Sequence, residues 1–568
     1  MNTWDKRFSI AAAVLIVIGI LLGSLIQTNG LSVDVREVKF ARSDGKMMSG
    51  YLYVPPGVSA ENKAPAILAI HGYINSRETQ SGFAIEFARR GYVVLALDET
   101  GHGYSDPPAM ALGFGGPPGL QYLHSLPFVD TENIGLEGHS MGGWASVIAA
   151  ATYPDMYKSM VLEGSSTGTY GAPEGTPEFP KNVAVVFSKF DEFAALMWGH
   201  PVASQVGQTE KMQKLFNTDK PIEAGKIYGS IEDGTARVLY QPTTTHPGDH
   251  LSTTAIGHAV SWFDKTLKGA KPVNGQTWIW KEFGTLLILL GMFFLIVPVS
   301  ALVGKFLKGI QVETAPKQLS PDPTNRWITM AIAIIVPILT FFWFQNIGNA
   351  VLPANWLWRQ NVTTGIMSWA LLNGLIAFIV GIILKKTRGA DEGGLEKPDL
   401  KTILLSALAA LITIFILHLI LSFIAFWFNL DGRFWVAALK PMGKIHVLQF
   451  AAYVIPFALF FSIFTRNYVT NFFTGTKASP WLNGIIASVG FVLLLLVQYI
   501  SLLAGGTLAI PTEPLLTIVA FQFVPLMFIA GAVTTACYHR FGNIYYGAFV
   551  VAGFITWYIV AGQATHFG

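Results

Sequence analysis

Two patterns of apolar positions divide the chain. From about residue 31 to 270, apolar residues come in short runs set between turns. From about residue 284 onward they come in runs long enough to cross a membrane. In the first part, residues 33–40 and 46–54 alternate like an antiparallel strand pair joined by Ser43-Asp44-Gly45. Residues 64–70, 92–97, 158–163 and 183–187 read as buried strands, and residues 237–241 as the last one. Helical spacing runs over residues 80–90 (Phe83, Ile85, Phe87, Ala88) and stops at Gly91. Further helices are expected after Ser140, at 208–216 and at 253–267. Strands alternating with helices predict a mainly parallel sheet covered on both faces.

The second part predicts an all-α polytopic domain. Spanning runs fall at 284–304, 327–344, 366–384, 403–428, 447–464, 485–503, 515–536 and 547–561. Another apolar run, 10–26, follows Asp5-Lys6-Arg7 and leaves no small-x-small cleavage site, so it reads as an N-terminal anchor. The total is about nine spans. The expected division is an anchor over 1–30, an α/β domain over 31–270 and an eight-span domain over 271–568. Lys6 and Arg7 place the N-terminus in the cytoplasm. The alternate loops with Lys305 and Lys308, with Lys385, Lys386, Arg388 and Lys401, with Arg466 and Lys477, and with His539 and Arg540 agree. The expected location is the cell membrane, with the α/β domain and the C-terminus extracytoplasmic. Residues 431–444 are an exception on the outer side, with Arg433, Lys440 and Lys444. No Asp, Glu, Lys or Arg lies near the centre of a span, which argues against an ion-coupled carrier. His418 reads as a histidine bonded between helices, and Pro298, Pro337, Pro456 and Pro525 as kink points.

Composition adds little beyond this. Charged residues are 13% and mean hydropathy is +0.45, which fits a membrane protein with the lipid bilayer as partner. The net charge of +3, without a basic stripe or nucleic-acid motif, predicts no nucleic-acid partner. One cysteine, Cys537, leaves no disulfide within the chain and no cysteine-based metal site. Oligomeric state stays open.

The candidate chemistry centres on Gly138-His139-Ser140-Met141-Gly142. An apolar strand precedes it and a helix-forming run follows it. This is the setting of a nucleophile elbow, with Ser140 exposed at the turn. The stretch from 31 to 270 resembles the α/β-hydrolase superfamily, closest to the dienelactone-hydrolase and prolyl-oligopeptidase branch. His71-Gly72, Asp98-x-x-Gly101-x-Gly103-x-Ser105, the elbow, and then an acid and a histidine stand in that family's order. Residues 126–130, before the elbow strand, also carry the likeness. Dienelactone hydrolases use cysteine where this chain has serine, so their specific activity does not carry over.

The resemblance implies an α/β-hydrolase fold and a Ser-His-Asp triad. Asp191 takes the acid position after residues 183–187, with Glu192 as the alternative. His246 takes the base position after the last strand, with His250 as the alternative. The amides of Tyr73 and Met141 would bind the oxyanion. His139 and the Asp98 loop are supports, and His258 is a packed or surface histidine. His246, Asp249 and His250 can also be read as metal ligands, a reading set behind the triad; no metal and no cofactor are expected. Residues 165–181 and 193–235 are the expected lid. The function implied is a membrane-embedded serine hydrolase acting on an ester, thioester or amide of a small-molecule, lipid or peptide substrate. The alternatives are a peptidase or acyltransferase on the same site, or a transporter or receptor-like protein with a regulatory domain of this fold.

Overall fold

A computed structural model describes residues 3–312, 323–388, 398–473, 475–563 and 565–567. The chain enters through helix α1 (Thr3–Gln27) and then builds a nine-stranded sheet. Its strands are β1 (Asp34–Ala41), β2 (Met47–Val54), β3 (Ala64–Ile70), β4 (Val93–Asp98), β5 (Val129–His139), β6 (Ser159–Glu163), β7 (Val183–Val186), β8 (Ile227–Tyr228) and β9 (Arg237–Tyr240). Their order is β1-β2-β4-β3-β5-β6-β7-β9-β8. From β4 to β9 neighbouring strands are parallel, and the edges β1-β2 and β8 are antiparallel. Every residue of β3, β4, β6 and β7 is buried, as continuous apolar strands in a two-sided sheet must be.

Helices α2 (Ser81–Arg89), α3 (Gly116–Ser125), α4 (Met141–Thr152) and α7 (Thr253–Thr266) cover it. Leu120 and Leu123 of α3 and Trp144 and Val147 of α4 share a core with Leu68 and Leu136. Phe83 and Phe87 of α2 and Ile256 and Phe263 of α7 share the opposite core with Ile67 and Val161. The short helices α5 (Ala194–Trp198) and α6 (Glu210–Leu215) lie between β7 and β8. The edge strand β8 and helix α3, which starts on Gly116-Pro117-Pro118, were not expected from the sequence.

The second part consists of α8 (Ile279–Phe306), α9 (Pro323–Leu339), α10 (Phe341–Val351), α11 (Asn361–Arg388), α12 (Leu400–Phe428), α13 (Lys444–Asn471), α14 (Ser479–Gly505), α15 (Pro514–Phe541) and α16 (Ile544–Gln563). Eight helices of the described chain, α1 among them, are long and apolar enough to cross a membrane. The expected span at 327–344 is not one straight helix. It is α9 and α10, bent by 57° at Thr340. Pro337 cannot donate into the helix, and its carbonyl accepts from Trp369 Nε1 at 2.9 Å instead of continuing the ladder. Counting the bent pair as one span gives nine. A short hairpin, β10 (Gly432–Phe434) with β11 (Ala437–Leu439), interrupts the otherwise helical part between α12 and α13.

One end of the bundle carries the α/β domain. Asn429 Nδ2 donates to Val35 O, Tyr104 Oη to Pro441 O, and His566 N to Gly101 O. Lys440 pairs with Glu78 and Asp431, all three buried. Two of the three cations of residues 431–444, Arg433 and Lys440, are therefore buried in a seam, and Lys444 is exposed. At the other end, Arg540 pairs with Asp5. Residues 429–443 and 565–567 thus lie on the side of the α/β domain, and the start of α1 lies on the opposite side. His418 accepts from the Met442 N–H at 2.8 Å, closing α12 onto this seam.

Helix α1 packs along α8 through glycines. A Cβ on Gly19 would sit 2.5 Å from Gly284 O, and one on Gly284 would sit 2.7 Å from Gly23 N. Small residues let the backbones meet where lipid supplies no hydrophobic drive. Gly284→Leu should force the pair apart and cost about 1–3 kcal/mol, the usual scale of overpacking. A lower thermal midpoint in detergent than for the exposed control Phe283→Leu is the expected reading.

Candidate active site

Ser140 joins β5 to α4 with φ 55° and ψ −120°. A side chain held there is strained, so its surroundings must fix it. Ser140 N–H donates to Glu163 O at 2.9 Å, and Ser140 O accepts from Gly143 N–H and from Ser165 Oγ at 3.0 and 2.6 Å. A Cβ on Gly138 would strike the Gly142 carbonyl, and one on Gly142 would strike the Ile70 carbonyl. The glycines are therefore demanded by the approach of α4 to β3 and β5. Gly72 brings the loop after β3 against the serine: a Cβ there would lie 2.9 Å from Ser140 Cβ. Tyr73 and Met141, the expected oxyanion donors, line the same cavity as Ser140.

Asp191 follows β7 and His246 follows β9. These strands are parallel neighbours, so both loops leave the same end of the sheet. Phe190 and Thr245 still form a bridge just before the two residues. His246 Nδ1 and Asp191 Oδ2 are 2.8 Å apart, and Asp191 Oδ1 accepts from Phe193 N–H at 2.7 Å. Burial pulls the imidazole of His246 down to about 3, so the ring is neutral at neutral pH. Burial likewise pushes the Asp191 carboxyl well above its usual range, against the Phe193 N–H. In the ionised form its bond to Nδ1–H fixes the tautomer that leaves Nε2 as an acceptor. Ser140 and His246 line one cavity of about 410 Å³.

The alternative residues are placed differently. Glu192 meets the backbone of His246, accepting its N–H on Oε2 at 2.8 Å. His250 lines the cavity with its ring 4.1 Å from that of His139, and neither of its nitrogens has a partner among the described residues. Asp249 accepts from Ser188 Oγ. His139 Nε2 contacts His246 O at 3.1 Å. His258 stacks on Tyr240 at 4.0 Å. Asp98 accepts the N–H groups of Arg77 and Tyr104 and so holds its own loop.

The roof of the cavity was not legible in the sequence. Tyr170, Phe193, Leu196 and Met197 come from the two expected lid segments. The rest comes from the membrane half: Arg433 and Trp435 of the hairpin region, Leu515, Ile518 and Gln522 of α15, and Phe567. Trp435 Nε1 donates to Pro247 O at 2.6 Å, one residue past His246. Tyr499 Oη of α14 donates to Glu192 Oε1 at 2.6 Å. Glu192 thus joins a membrane helix to the backbone of His246. The one available signal was a tryptophan and two cations in a short loop between spans. A second cavity, of about 540 Å³, lies among α9, α11 and α13 and contains none of these residues.

Residues 65–196 match the family model described as alpha/beta hydrolase fold. This part of the chain has the α/β-hydrolase fold. A stretch of 99 residues, 17% of the chain, is 33% identical to an uncharacterised protein of Mycobacterium tuberculosis. The match spans 28% of that protein's length. Among solved structures, an esterase of Pyrococcus furiosus aligns over 43% of this chain and 94% of its own, at 16% identity and a TM-score of 0.30. A dienelactone hydrolase-like promiscuous phosphotriesterase from metagenomic libraries aligns over 42% and 99%, at 15% identity and a TM-score of 0.30. Dipeptidyl peptidase 4 of Porphyromonas gingivalis aligns over 42% and 36%, at 13% identity and a TM-score of 0.31.

Glu192 gives the site a pH signature. Burial, with Asp191 beside it, pushes its carboxyl from 4.5 up to about 8, while the Tyr499 hydroxyl and the His246 N–H pull it back. The folded protein then holds a proton that the unfolded chain releases. This share of stability is full below about pH 4.5 and is lost as pH rises through about 8. Thermal midpoints measured in detergent across this range should fall less in Glu192→Gln than in the parent. They should fall more in Tyr499→Phe, which removes a donor to the carboxylate.

Proposed function

We propose that the chain is a membrane-embedded serine hydrolase whose active site is roofed by its own membrane domain. The observation that carries this reading is that His246, bonded to Asp191, lines one cavity with a serine held on a strained strand–helix turn. Ser140 Oγ attacks the carbonyl carbon of an ester, thioester or amide. His246 Nε2 takes the hydroxyl proton, and Asp191 holds the ring and offsets its charge once protonated. The amides of Met141 and Tyr73 receive the developing oxyanion beside the start of α4. The leaving group takes the proton from His246 and departs, leaving an acyl-serine. Water, activated by the same histidine, then resolves it. Burial that disfavours the imidazolium keeps the resting ring neutral but weakens it as a base, so the charge of Asp191 must offset the cation as it forms.

Cavity size and lining narrow the substrate. About 410 Å³ walled by Ile74, Phe114, Trp144, Phe193, Trp435 and Leu515 suits a compact acyl group better than a folded polypeptide. The roof of α15 and the hairpin suits substrates drawn from the membrane surface, with the bilayer as partner. The loop charges named above favour an extracytoplasmic α/β domain and C-terminus. The burial of Arg433 and Lys440 in the seam removes the main exception. A carrier or receptor with a regulatory domain of this fold would not need the serine, the histidine and the aspartate together.

Turnover of p-nitrophenyl esters of increasing chain length by the full-length protein in detergent tests the proposal. Ser140→Ala and His246→Ala should each lower kcat by about a thousandfold or more, as loss of one triad member does. His250→Ala should retain far more activity than His246→Ala. Equal turnover by parent and Ser140→Ala would remove Ser140 as nucleophile, and a greater loss with His250→Ala would make that residue the base.

A further inference from the structure

Arg433 stands in an unusual position. It belongs to β10 of the hairpin between α12 and α13 and is 2% exposed. It lines the same cavity as Ser140 and His246. Its Nη2 donates to Ser76 Oγ at 3.3 Å, but Nε and Nη1 have no hydrogen-bond partner among the described residues. No described carboxylate comes within 4.0 Å of its guanidinium. The two nearby acids are engaged elsewhere. Glu78 pairs with Lys440 and sits 3.5 Å from Arg77 Nε, and Asp431 sits 3.3 Å from Lys440. Lys440 thus has two acidic partners in contact, while Arg433 has no described carboxylate within 4.0 Å and meets Glu78 only at longer range.

A guanidinium keeps its charge at any pH at which proteins fold. Buried donors left open are costly, and a charged group pays more than a neutral one. The other walls around it are largely apolar, so the cavity itself offers no counter-charge. The group that would complete this arrangement is an anion on the ligand, because carboxylates and phosphates match the planar donors of arginine. We propose that Arg433 is the anion-binding residue of this cavity and that the acyl compound handled at Ser140 carries a carboxylate or phosphate. The inference rests on the serine-hydrolase reading for the acyl part; the anion site itself does not need it. The anion can belong to a lipid headgroup or to a soluble acyl compound.

Two sets of measurements on the full-length protein in detergent separate these points. The first compares p-nitrophenyl pentanoate with p-nitrophenyl hydrogen glutarate, and adds fatty-acid release from lysophosphatidylglycerol as the lipid arm. The parent should favour an anionic substrate over the neutral ester by about tenfold or more in kcat/KM, the scale of one charged hydrogen bond. Arg433→Met should lose that preference mainly through KM, and Arg433→Lys should keep part of it. Dependence on Arg433 with the glutarate ester alone indicates a soluble source, and with the lysolipid alone a membrane source. Equal losses on neutral and anionic substrates would mean that Arg433 only holds the seam, and would overturn the proposal.

The second set needs neither turnover nor an Arg433 variant. Octyl phosphate and octanol are titrated into Ser140→Ala, and the shift in thermal midpoint is read. Octyl phosphate should bind more tightly by about tenfold or more. Equal binding would overturn the anion site. Tight octyl phosphate binding without ester turnover by the parent would keep the anion site and remove the hydrolase reading. Ser140-dependent turnover without anion preference would do the reverse.

Discussion

Lys440, Glu78 and Asp431 meet where almost no water reaches. Glu78 belongs to the loop after β3, while Lys440 and Asp431 flank the hairpin between two membrane helices. Removing one partner of such a group would strand a buried charge, at a cost of about 3–5 kcal/mol. The proximity of Lys440, Arg77 and Arg433 holds the Glu78 carboxyl well below its usual range against the pull of burial. This ion cluster fixes the α/β domain to the bundle at one angle, and the rest of the site follows. In the same position Trp435 reaches the Pro247 carbonyl and Tyr499 reaches Glu192.

The apolar helical part therefore belongs to the architecture of the site. The backbone of His246 is held by Glu192, Glu192 by Tyr499, and the carbonyl after His246 by Trp435. The serine is fixed from the other side, by β5, β6 and the glycines of the elbow. The sheet thus positions Ser140, and the helices help to hold the loop of His246, the two residues proposed as nucleophile and base.

How much of this was legible depends on the range of each interaction. The elbow is local: a strand, three glycines and a helix within a few turns fix the backbone of Ser140. The placement of Asp191 and His246 followed from strand order, because β7 and β9 lie side by side and deliver both loops to one end of the sheet. Sequence could order His246 before His250 but could not see that only His246 meets Asp191. The roof depends on pairs such as Glu192 with Tyr499 and Pro247 with Trp435, which no local pattern announces. Arg433 and Lys440 looked like exceptions to the charge rule because their partners lie in another domain. Strand β8 has two residues, too few to show a period, and the break at Thr340 was marked only by Pro337.

The central claim is that the hydroxyl of Ser140, beneath the roof formed by the membrane helices, is the reacting group. The most direct measurement is covalent capture. The intact protein in detergent is treated with a fluorophosphonate, digested, and the modified residue located by mass spectrometry. The account predicts one adduct per chain, on Ser140, lost when the protein is first unfolded. An adduct on another residue, or none while the folded protein still turns over esters, would contradict it.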